Sequence, residues 1–193
     1  HSSTFTLPLD NMIIMNCVSQ SFMLVGFFVS LGYEHSMLIK TDGSAWATGY
    51  NHHGQIGDGK TTDNDRFVEV IPSGAVTVAA GDYHNMVLKS DGSVWSTGDN
   101  NHGQLGDGSN ADKNQFAQVI SGGVMAVAAG TCHSIVLKSD GSVWFTGYNA
   151  YGHLGDGTTT QKNSFVKVIP NRVMAVAAGW FHTMVLKSDG SVW

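Results

Sequence analysis

Basic residues, cysteine and proline are all scarce in this sequence, and each shortage argues against a class of protein. Ten Lys and Arg residues stand against 15 Asp and Glu, which gives a formal net charge of −5. Because no basic cluster is present, neither nucleic acid nor an anionic membrane surface is an expected partner. The two cysteines, Cys17 and Cys132, are too few for a disulfide framework. Three prolines against 24 glycines indicate many turns rather than disorder.

Long apolar runs are also missing from the 193 residues, a length typical of one domain. The strongest run, "FMLVGFFVSL" at residues 22–31, is far shorter than the roughly 18 residues that span a bilayer. A signal-peptide core is one interpretation, but no Lys or Arg precedes the run, and a buried strand is the simpler one. We therefore expect no membrane segment, and the compartment stays open, with the cytoplasm slightly favoured.

What the sequence does contain is an internal repeat of 49 residues. Four histidines and four tryptophans recur at this interval: His35, His84, His133 and His182, and Trp46, Trp95, Trp144 and Trp193. The phrases between them are almost identical, from "HNMVLKSDGSVW" to "HTMVLKSDGSVW". A fixed period of this length is typical of repeat architectures such as solenoids and propellers.

Each repeat contains signals for four strands. "AVAAG" at residues 126–130 is a short run of small apolar residues, and "SIVLKSDGSVWFTG" predicts two strands around the turn pair Asp140-Gly141. A glycine-rich loop and the alternating segment "FVKVI" at residues 165–169 follow. With no helical periodicity, the sequence predicts an all-β fold made of β-propeller blades, each with four antiparallel strands.

The register divides the chain into about four repeats. We predict repeat 1 at residues 28–76, repeat 2 at 77–125, repeat 3 at 126–174 and a truncated repeat 4 at 175–193. Residues 1–27 are then a lead-in, and on one interpretation the segment "NCVSQSF" is a degenerate outer strand of a preceding blade.

One segment invites a different interpretation. "GQIGDGKT" at residues 54–61 fits the phosphate-loop pattern, in which Lys60 and Thr61 would hold phosphates and magnesium. Its repeat equivalents, "GQLGDGSN" and "GHLGDGTT", keep the glycines and the aspartate but lose the lysine. The segment also continues into a strand pattern rather than a helix, and its aspartate would repel phosphate. We expect no nucleotide binding there.

Metal binding and catalysis find equally little support. The Gly-Asp-Gly element lacks the spacing of a calcium loop, so Asp58, Asp107 and Asp156 are expected to fix their own turns. Histidines 49 residues apart belong to different blades and cannot share one zinc ion. We expect each to make a hydrogen bond that ties a loop to its neighbour. No Ser/His/Asp or Cys/His set stands apart from the repeat. The sequence therefore predicts no enzyme activity, no metal, no cofactor and no small-molecule substrate.

Residues that differ between repeats are the candidates for partner contact. Within the Gly-x-x-His loops the two central residues are aromatic or acidic, and a second variable position follows the Thr-Gly of the third strand. Aromatic side chains of this kind anchor protein interfaces. The alternative is that these loops vary without a function. The predicted contact residues are Tyr33, Glu34, Asp82, Tyr83, Trp180 and Phe181 in the first set, and Tyr50, Asp99 and Tyr148 in the second.

The segment "AAGDYHNMVLKSDGSVWSTGDNNHGQLGDGS" resembles a repeat of the regulator of chromosome condensation family, and the resemblance extends over residues 28–193. It implies the blades of a seven-bladed propeller. Seven repeats of this length exceed the chain, which leaves a fragment of a longer propeller, an open arc, or a small four-bladed ring completed by the N-terminal segment. The fragment is favoured, and a partial or open propeller is the expected fold.

Three functions follow as hypotheses. The leading one is a non-enzymatic protein–protein interaction scaffold that uses one rim of the blades. The family resemblance implies a second, a guanine-nucleotide exchange regulator of a small GTPase, although the constant spacing leaves no room for the inserted wedge on which that activity depends. The third is a propeller-type inhibitor of a secreted enzyme.

Overall fold

A computed structural model describes residues 21–24 and 27–193, and in this part of the chain all regular elements are strands. The first sheet contains β1 (Ser21–Leu24), β2 (Phe27–Leu31), β3 (His35–Ile39), β4 (Ala45–Gly49) and β5 (Asn64–Ile71). The second contains β6 (Ala75–Ala80), β7 (His84–Lys89), β8 (Val94–Gly98) and β9 (Lys113–Ile120). The third contains β10 (Val124–Ala129), β11 (His133–Lys138), β12 (Val143–Gly147) and β13 (Lys162–Ile169). A last hairpin pairs β14 (Val173–Ala178) with β15 (Thr183–Lys187).

Each sheet is an antiparallel meander, and the sheets follow one another as blades. We call them blade 1 (β2–β5, with β1 added at its inner edge), blade 2 (β6–β9), blade 3 (β10–β13) and blade 4 (β14–β15). The inner strands β2, β6, β10 and β14 contact one another in this order. The described sheets do not close into a ring, so the predicted all-β, open propeller of four-stranded blades is confirmed.

The hairpin between the second and third strand of a blade turns at Asp-Gly, as predicted. In blade 2, Gly92 has φ +79°, a conformation that glycine adopts without a steric penalty. The carboxylate of Asp91 accepts a hydrogen bond of 2.9 Å from the Ser93 amide. The hydroxyl of Ser93 in turn accepts from the indole of Trp95, and Lys89 lies 4.4 Å above the same ring. The turn thereby fixes the repeated tryptophan.

The hydrophobic core lies between blades rather than inside them. Met86, Leu88 and Val94 of blade 2 form one buried cluster with Val127 and Val136 of blade 3. The partly buried Trp144 of blade 3 packs against this cluster. Because each apolar sheet face needs the next blade to cover it, the blades hold one another in place, as in other repeat proteins.

Two strands differ in length from the sequence expectation. The inner strand of blade 3 begins at Val124, because Val124 pairs with Lys138 across a bulge before the regular ladder begins at Ala126. Its outer strand begins at Lys162, because a second irregularity lets Lys162 pair with Gly147.

The predicted degenerate strand at residues 16–22 falls mostly outside the described residues. Its last two residues, Ser21 and Phe22, belong to β1, which pairs with β2. Within residues 21–24 and 27–193, no helix has the length and apolar character needed to cross a membrane.

Candidate interaction rim

The repeated histidines join each blade to the next. Nε2 of His84 lies 2.9 Å from the hydroxyl of Ser134, which follows the histidine of blade 3. His35 makes the same contact with Asn85 at 3.0 Å, and His133 makes it with Thr183 at 3.3 Å. The predicted hydrogen bond to a neighbouring part is confirmed for three of the four histidines. The prediction that it holds a loop was wrong, because each partner lies on a strand of the next blade.

Burial keeps these histidines neutral. Desolvation lowers the pKa of His84 to about 4 and that of His133 to about 3. It also lowers the pKa of His35, against a smaller opposite effect of its hydrogen bond to Asn85. At His84 the Asp99 carboxylate opposes this lowering of the pKa, but desolvation is the larger effect. The neutral ring is therefore favoured, and these rings serve as structural hydrogen-bonding groups.

The loop that resembles a phosphate loop uses its own aspartate to satisfy its amides. The carboxylate of Asp58 accepts hydrogen bonds of 3.0 Å from the backbone N–H of Lys60 and from the side chain of Asn64. A phosphate group would need such N–H donors to be free. The chain then enters β5 rather than a helix, so the local structure is that of a blade loop. The absence of nucleotide binding remains a prediction.

The same loop forms hydrogen bonds with the next blade. The amide of Gly59 donates to the carbonyl of Asn114 at 2.7 Å, and the Asn114 side chain donates back to the Gly59 carbonyl at 3.0 Å. The Thr97 hydroxyl of blade 2 donates to the Gly54 carbonyl at 3.0 Å. Blade 2 repeats all three contacts with blade 3, through Thr146 and Asn163. These inter-blade hydrogen bonds hold the long loops in fixed positions.

Both sets of predicted contact residues emerge at one end of the blades, which we call the rim. The amide of Tyr50 donates to the Glu34 carbonyl, Asp99 to the Tyr83 carbonyl and Tyr148 to the Cys132 carbonyl, at 2.8–2.9 Å. The Gly-x-x-His loop of each blade thus lies beside the start of its long loop. This adjacency brings residues that are separate in the sequence into one surface.

Three of the predicted tyrosines come together at the junction of blades 1 and 2. The ring of Tyr83 lies 5.7 Å from that of Tyr33 and 5.8 Å from that of Tyr50, in edge and tilted arrangements. His53 lies 5.2 Å from Tyr83, and His52 lies 4.6 Å from Tyr50. We call these five residues the first aromatic cluster. Tyr33 is exposed, with 65% of its surface accessible.

A second aromatic cluster forms at the junction of blades 3 and 4. The rings of Tyr148 and Phe181, both predicted, lie 5.9 Å apart. Tyr151 lies 5.6 Å from Phe181, and His153 lies 5.9 Å from Tyr148. Ring pairs at these separations and angles stabilise one another beyond their buried area. They form a surface of rigid rings.

The remaining predicted residues have different surroundings. Trp180 is 61% exposed and, with Tyr33 and Asp82, lines a cavity of about 260 Å³ where the inner strands converge. Glu34 is exposed beside it. Burial raises the pKa of the Asp82 carboxyl. Asp99 is only 7% exposed, because Gln104 and Asn101 enclose its carboxylate with hydrogen bonds of 2.7 and 2.6 Å.

The sequence analysis did not identify Tyr151 or the histidines His52, His53 and His153 as cluster members. They lie in the same long loops as Tyr50 and Tyr148. Membership of these loops, which emerge at one end of the blades, was the signal that could have identified them. Their partners, however, belong to the next blade in several cases, and spacing within one repeat does not show which residues face each other.

The rim is also where negative charge accumulates. Its loops, residues 32–34, 50–63, 81–83, 99–112, 130–132, 148–161 and 179–182, contain eight Asp and Glu residues and one lysine, Lys60. At the opposite end, Lys40, Lys89 and Lys138 lie beside the Asp-Gly turns. The rim therefore offers aromatic rings within a negative field.

The sequence itself matches a known repeat along most of its length. A profile described as "Regulator of chromosome condensation (RCC1) repeat" matches residues 42–88, 91–137 and 140–186. A second profile of the same description matches residues 28–55, 75–104 and 124–152. The chain belongs to the regulator of chromosome condensation repeat family. Curated protein sequences yield no significant match.

Three solved structures are similar in fold. Prp20p from Saccharomyces cerevisiae superposes with a TM-score of 0.71 at 18% identity, over 84% of this chain and 44% of Prp20p. Yeast RCC1 (Prp20) in its complex with Kap60 gives 0.73 at 18% identity, over 93% and 44%. Human WBSCR16 gives 0.59 at 17% identity, over 89% and 59%. This chain therefore spans about half the length of these structural neighbours.

Proposed function

We propose that this RCC1-repeat chain is a non-enzymatic scaffold that binds a protein partner through its rim. The observation that supports this most is the pair of aromatic clusters, which place exposed rings of Tyr33, Tyr151 and Phe181 on a frame fixed by inter-blade hydrogen bonds. Rigid aromatic anchors of this type contribute most of the binding energy at protein interfaces. The residues of the repeat itself have structural tasks, which leaves catalysis without an assigned group.

The charge of the rim points to the chemistry of the partner. Two of the eight carboxylates, Asp107 and Asp156, pair with lysines at the ends of the loops. The other six leave an excess of negative charge, which favours a partner surface rich in Lys and Arg. Arginine is especially suitable, because its guanidinium both pairs with carboxylates and stacks on aromatic rings. Binding to such a surface should weaken as ionic strength rises.

The test compares partner capture by the full chain with capture by two rim variants, Tyr83→Ala and Trp180→Ala. Phe67→Ala is the matched control, because Phe67 is 44% exposed on the outer strand β5, away from the rim. Proteins retained by the wild type and by the Phe67 variant, but lost from both rim variants, are the specific partners. Equal capture by all four proteins, with unchanged circular dichroism, would refute the rim proposal.

Guanine-nucleotide exchange is the second candidate, and family membership favours it. The similar structure of Prp20p was described together with its binding properties to Gsp1p and histones. Against it stands the even spacing of the repeats, which contains no inserted wedge. Measuring the release of labelled GDP from a panel of small GTPases separates the two candidates: acceleration by the wild-type chain supports exchange, and unchanged release supports the scaffold.

A further inference from the structure

The junction of blades 1 and 2 holds a cluster of metal-ligating side chains that no repeat motif contains. Nδ1 of His53 in blade 1 lies 3.2 Å from a carboxylate oxygen of Asp112 in blade 2. It lies 4.0 Å from Oδ1 of Asp99, also in blade 2. The three potential ligand atoms are all within 4.8 Å of one another. Ligands about 2 Å from a tetrahedral zinc ion are themselves separated by roughly 3.3 Å, so the site needs only a small contraction.

Neither Asp99 nor Asp112 forms an ion pair with a Lys or Arg side chain of the described residues. Elsewhere on the rim, Asp107 pairs with Lys113 at 3.2 Å and Asp156 pairs with Lys162 at 3.0 Å. For Asp99 and Asp112, the only ion-pair partner among the described residues is the imidazole of His53. Asp99 is also almost fully buried. Two neighbouring carboxylates, one of them buried, favour the presence of a cation between them.

Surrounding hydrogen bonds hold the ligands in place. The backbone N–H of Asn100 donates to Oδ1 of Asp112 at 2.8 Å, which leaves Oδ2 facing His53. Gln104 donates to Oδ2 of Asp99 at 2.7 Å, and Asn101 donates to Oδ1 at 2.6 Å. The backbone N–H of Asn101 also donates to Oδ1, at 3.2 Å, so both lone pairs of this oxygen are in use. An ion bound at Oδ1 would displace this longer hydrogen bond and leave the shorter one from the Asn101 side chain. Outer contacts of this kind orient metal ligands.

The next junction provides an internal comparison. There His102 occupies the position of His53, and its Nδ1 lies 3.4 Å from the amide oxygen of Gln161. Tyr148 stands where blade 2 has Asp99, so this junction contains neither carboxylate. The cluster is therefore specific to one junction, and repetition does not explain it.

We propose that His53, Asp99 and Asp112 bind a zinc ion that links blade 1 to blade 2. One imidazole nitrogen and two carboxylate oxygens suit zinc, whereas magnesium and calcium favour all-oxygen sites. Water completes the coordination. This inference revises the expectation from sequence that the chain binds no metal, and it is independent of the proposed scaffold function, because it concerns a link within the chain.

The test is a calorimetric titration of the chelator-treated full chain with zinc chloride, with magnesium chloride as a second probe. We expect one zinc site whose affinity falls at least tenfold in both His53→Gln and Asp112→Asn, and no magnesium binding. Asp112→Asn is the more conservative of the two, because its side-chain oxygen can still accept from the Asn100 amide. His102→Gln is the matched control and should bind zinc like the wild type.

Thermal unfolding gives a second readout. At a hundredfold excess over its dissociation constant, zinc should raise the melting temperature of the wild type and of His102→Gln by about 5 °C or more. At the same zinc concentration, the increase for His53→Gln and Asp112→Asn should be about half as large or less, because their affinity is at least tenfold weaker. Equal zinc affinity and equal thermal shifts in all four proteins would mean that other histidines bind zinc adventitiously, and would overturn the proposal. No zinc binding by the wild type would overturn it as well.

Discussion

The burial of His84 in blade 2 depends on the blade that follows it. Its ring is fully buried and bonded to Ser134 of blade 3. His182 occupies the same position in the hairpin of blade 4, yet it is exposed. The same histidine in the same local sequence is therefore buried only where a following blade covers it, and its protonation should reflect folding.

The pH dependence of stability follows from that burial. The pKa of His84 is about 4 in the folded chain, against about 6.5 when unfolded. Above pH 6.5 the ring is neutral in both states and contributes no pH dependence. As the pH falls from 6.5 to 4, only the unfolded state gains the proton, so the free energy of unfolding decreases by about 3 kcal/mol.

Urea unfolding at several pH values between 4.5 and 7 measures this loss, and His84→Gln isolates it, since glutamine does not titrate there. The variant should show a shallower pH dependence than the wild type. Carboxylates with lowered pKa values, such as Asp58 and Asp107, lose their contribution only below this window. Identical slopes for the two proteins would contradict the assignment of a buried neutral His84.

For single residues, some structural roles could be predicted from the sequence and others could not. The task of the repeated histidines could be predicted, because spacing alone excludes a shared ion. The burial of Asp99 could not, since it depends on Gln104 and Asn101 folding back onto one carboxylate. Nor could the approach of His53 to Asp112, 59 residues away, because it requires the relative position of two blades.

At the scale of elements, the strands were largely predictable and their ends were not. The Asp-Gly pairs and the alternating segments identify all four strands of a blade. The start of β13 at Lys162 depends on an irregular pairing with Gly147 of β12. Such irregularities arise from the partner strand and leave no signal in local propensity.

The long loop of one blade contacts the next blade, and glycine permits this contact. Gly106 has φ +74°, and a Cβ there would overlap the ring of Phe165 in the next blade. Gly155, its repeat equivalent in blade 3, has φ +70° and only Val168 nearby, at 3.8 Å. Both positions disfavour alanine through φ, but only Gly106 adds a steric conflict.

Replacing each glycine by alanine separates the two costs. Gly155→Ala should lower the free energy of unfolding by about 1 kcal/mol, the backbone cost alone. Gly106→Ala should lower it by about 1–3 kcal/mol more, because the Phe165 ring must move. Denaturant midpoints of the two variants and the wild type provide the measurement. Equal losses would show that the loop does not pack on the next blade as described.

On the scale of the whole molecule, the blades form a one-dimensional series in which each contacts its neighbours. The strands β7 and β11 are buried along almost their full length, whereas β15 is exposed at alternate positions. In such a series, protection from unfolding follows the number of neighbouring interfaces that cover a blade.

Native-state hydrogen exchange should therefore vary along the chain. Amides of Val87 in β7 and Val136 in β11 should exchange slowest, since each lies in a strand covered from both sides. The equivalent amide of Val185 in β15 should exchange at least tenfold faster, although its side chain is buried and its backbone bonds to Trp193. Mass spectrometry of exchanged peptides from residues 84–89, 133–138 and 183–187 compares the three directly. If all three exchange at one rate, the arc unfolds as a single cooperative unit, and the inter-blade contacts at both junctions must be stronger than their hydrogen bonds and buried area suggest.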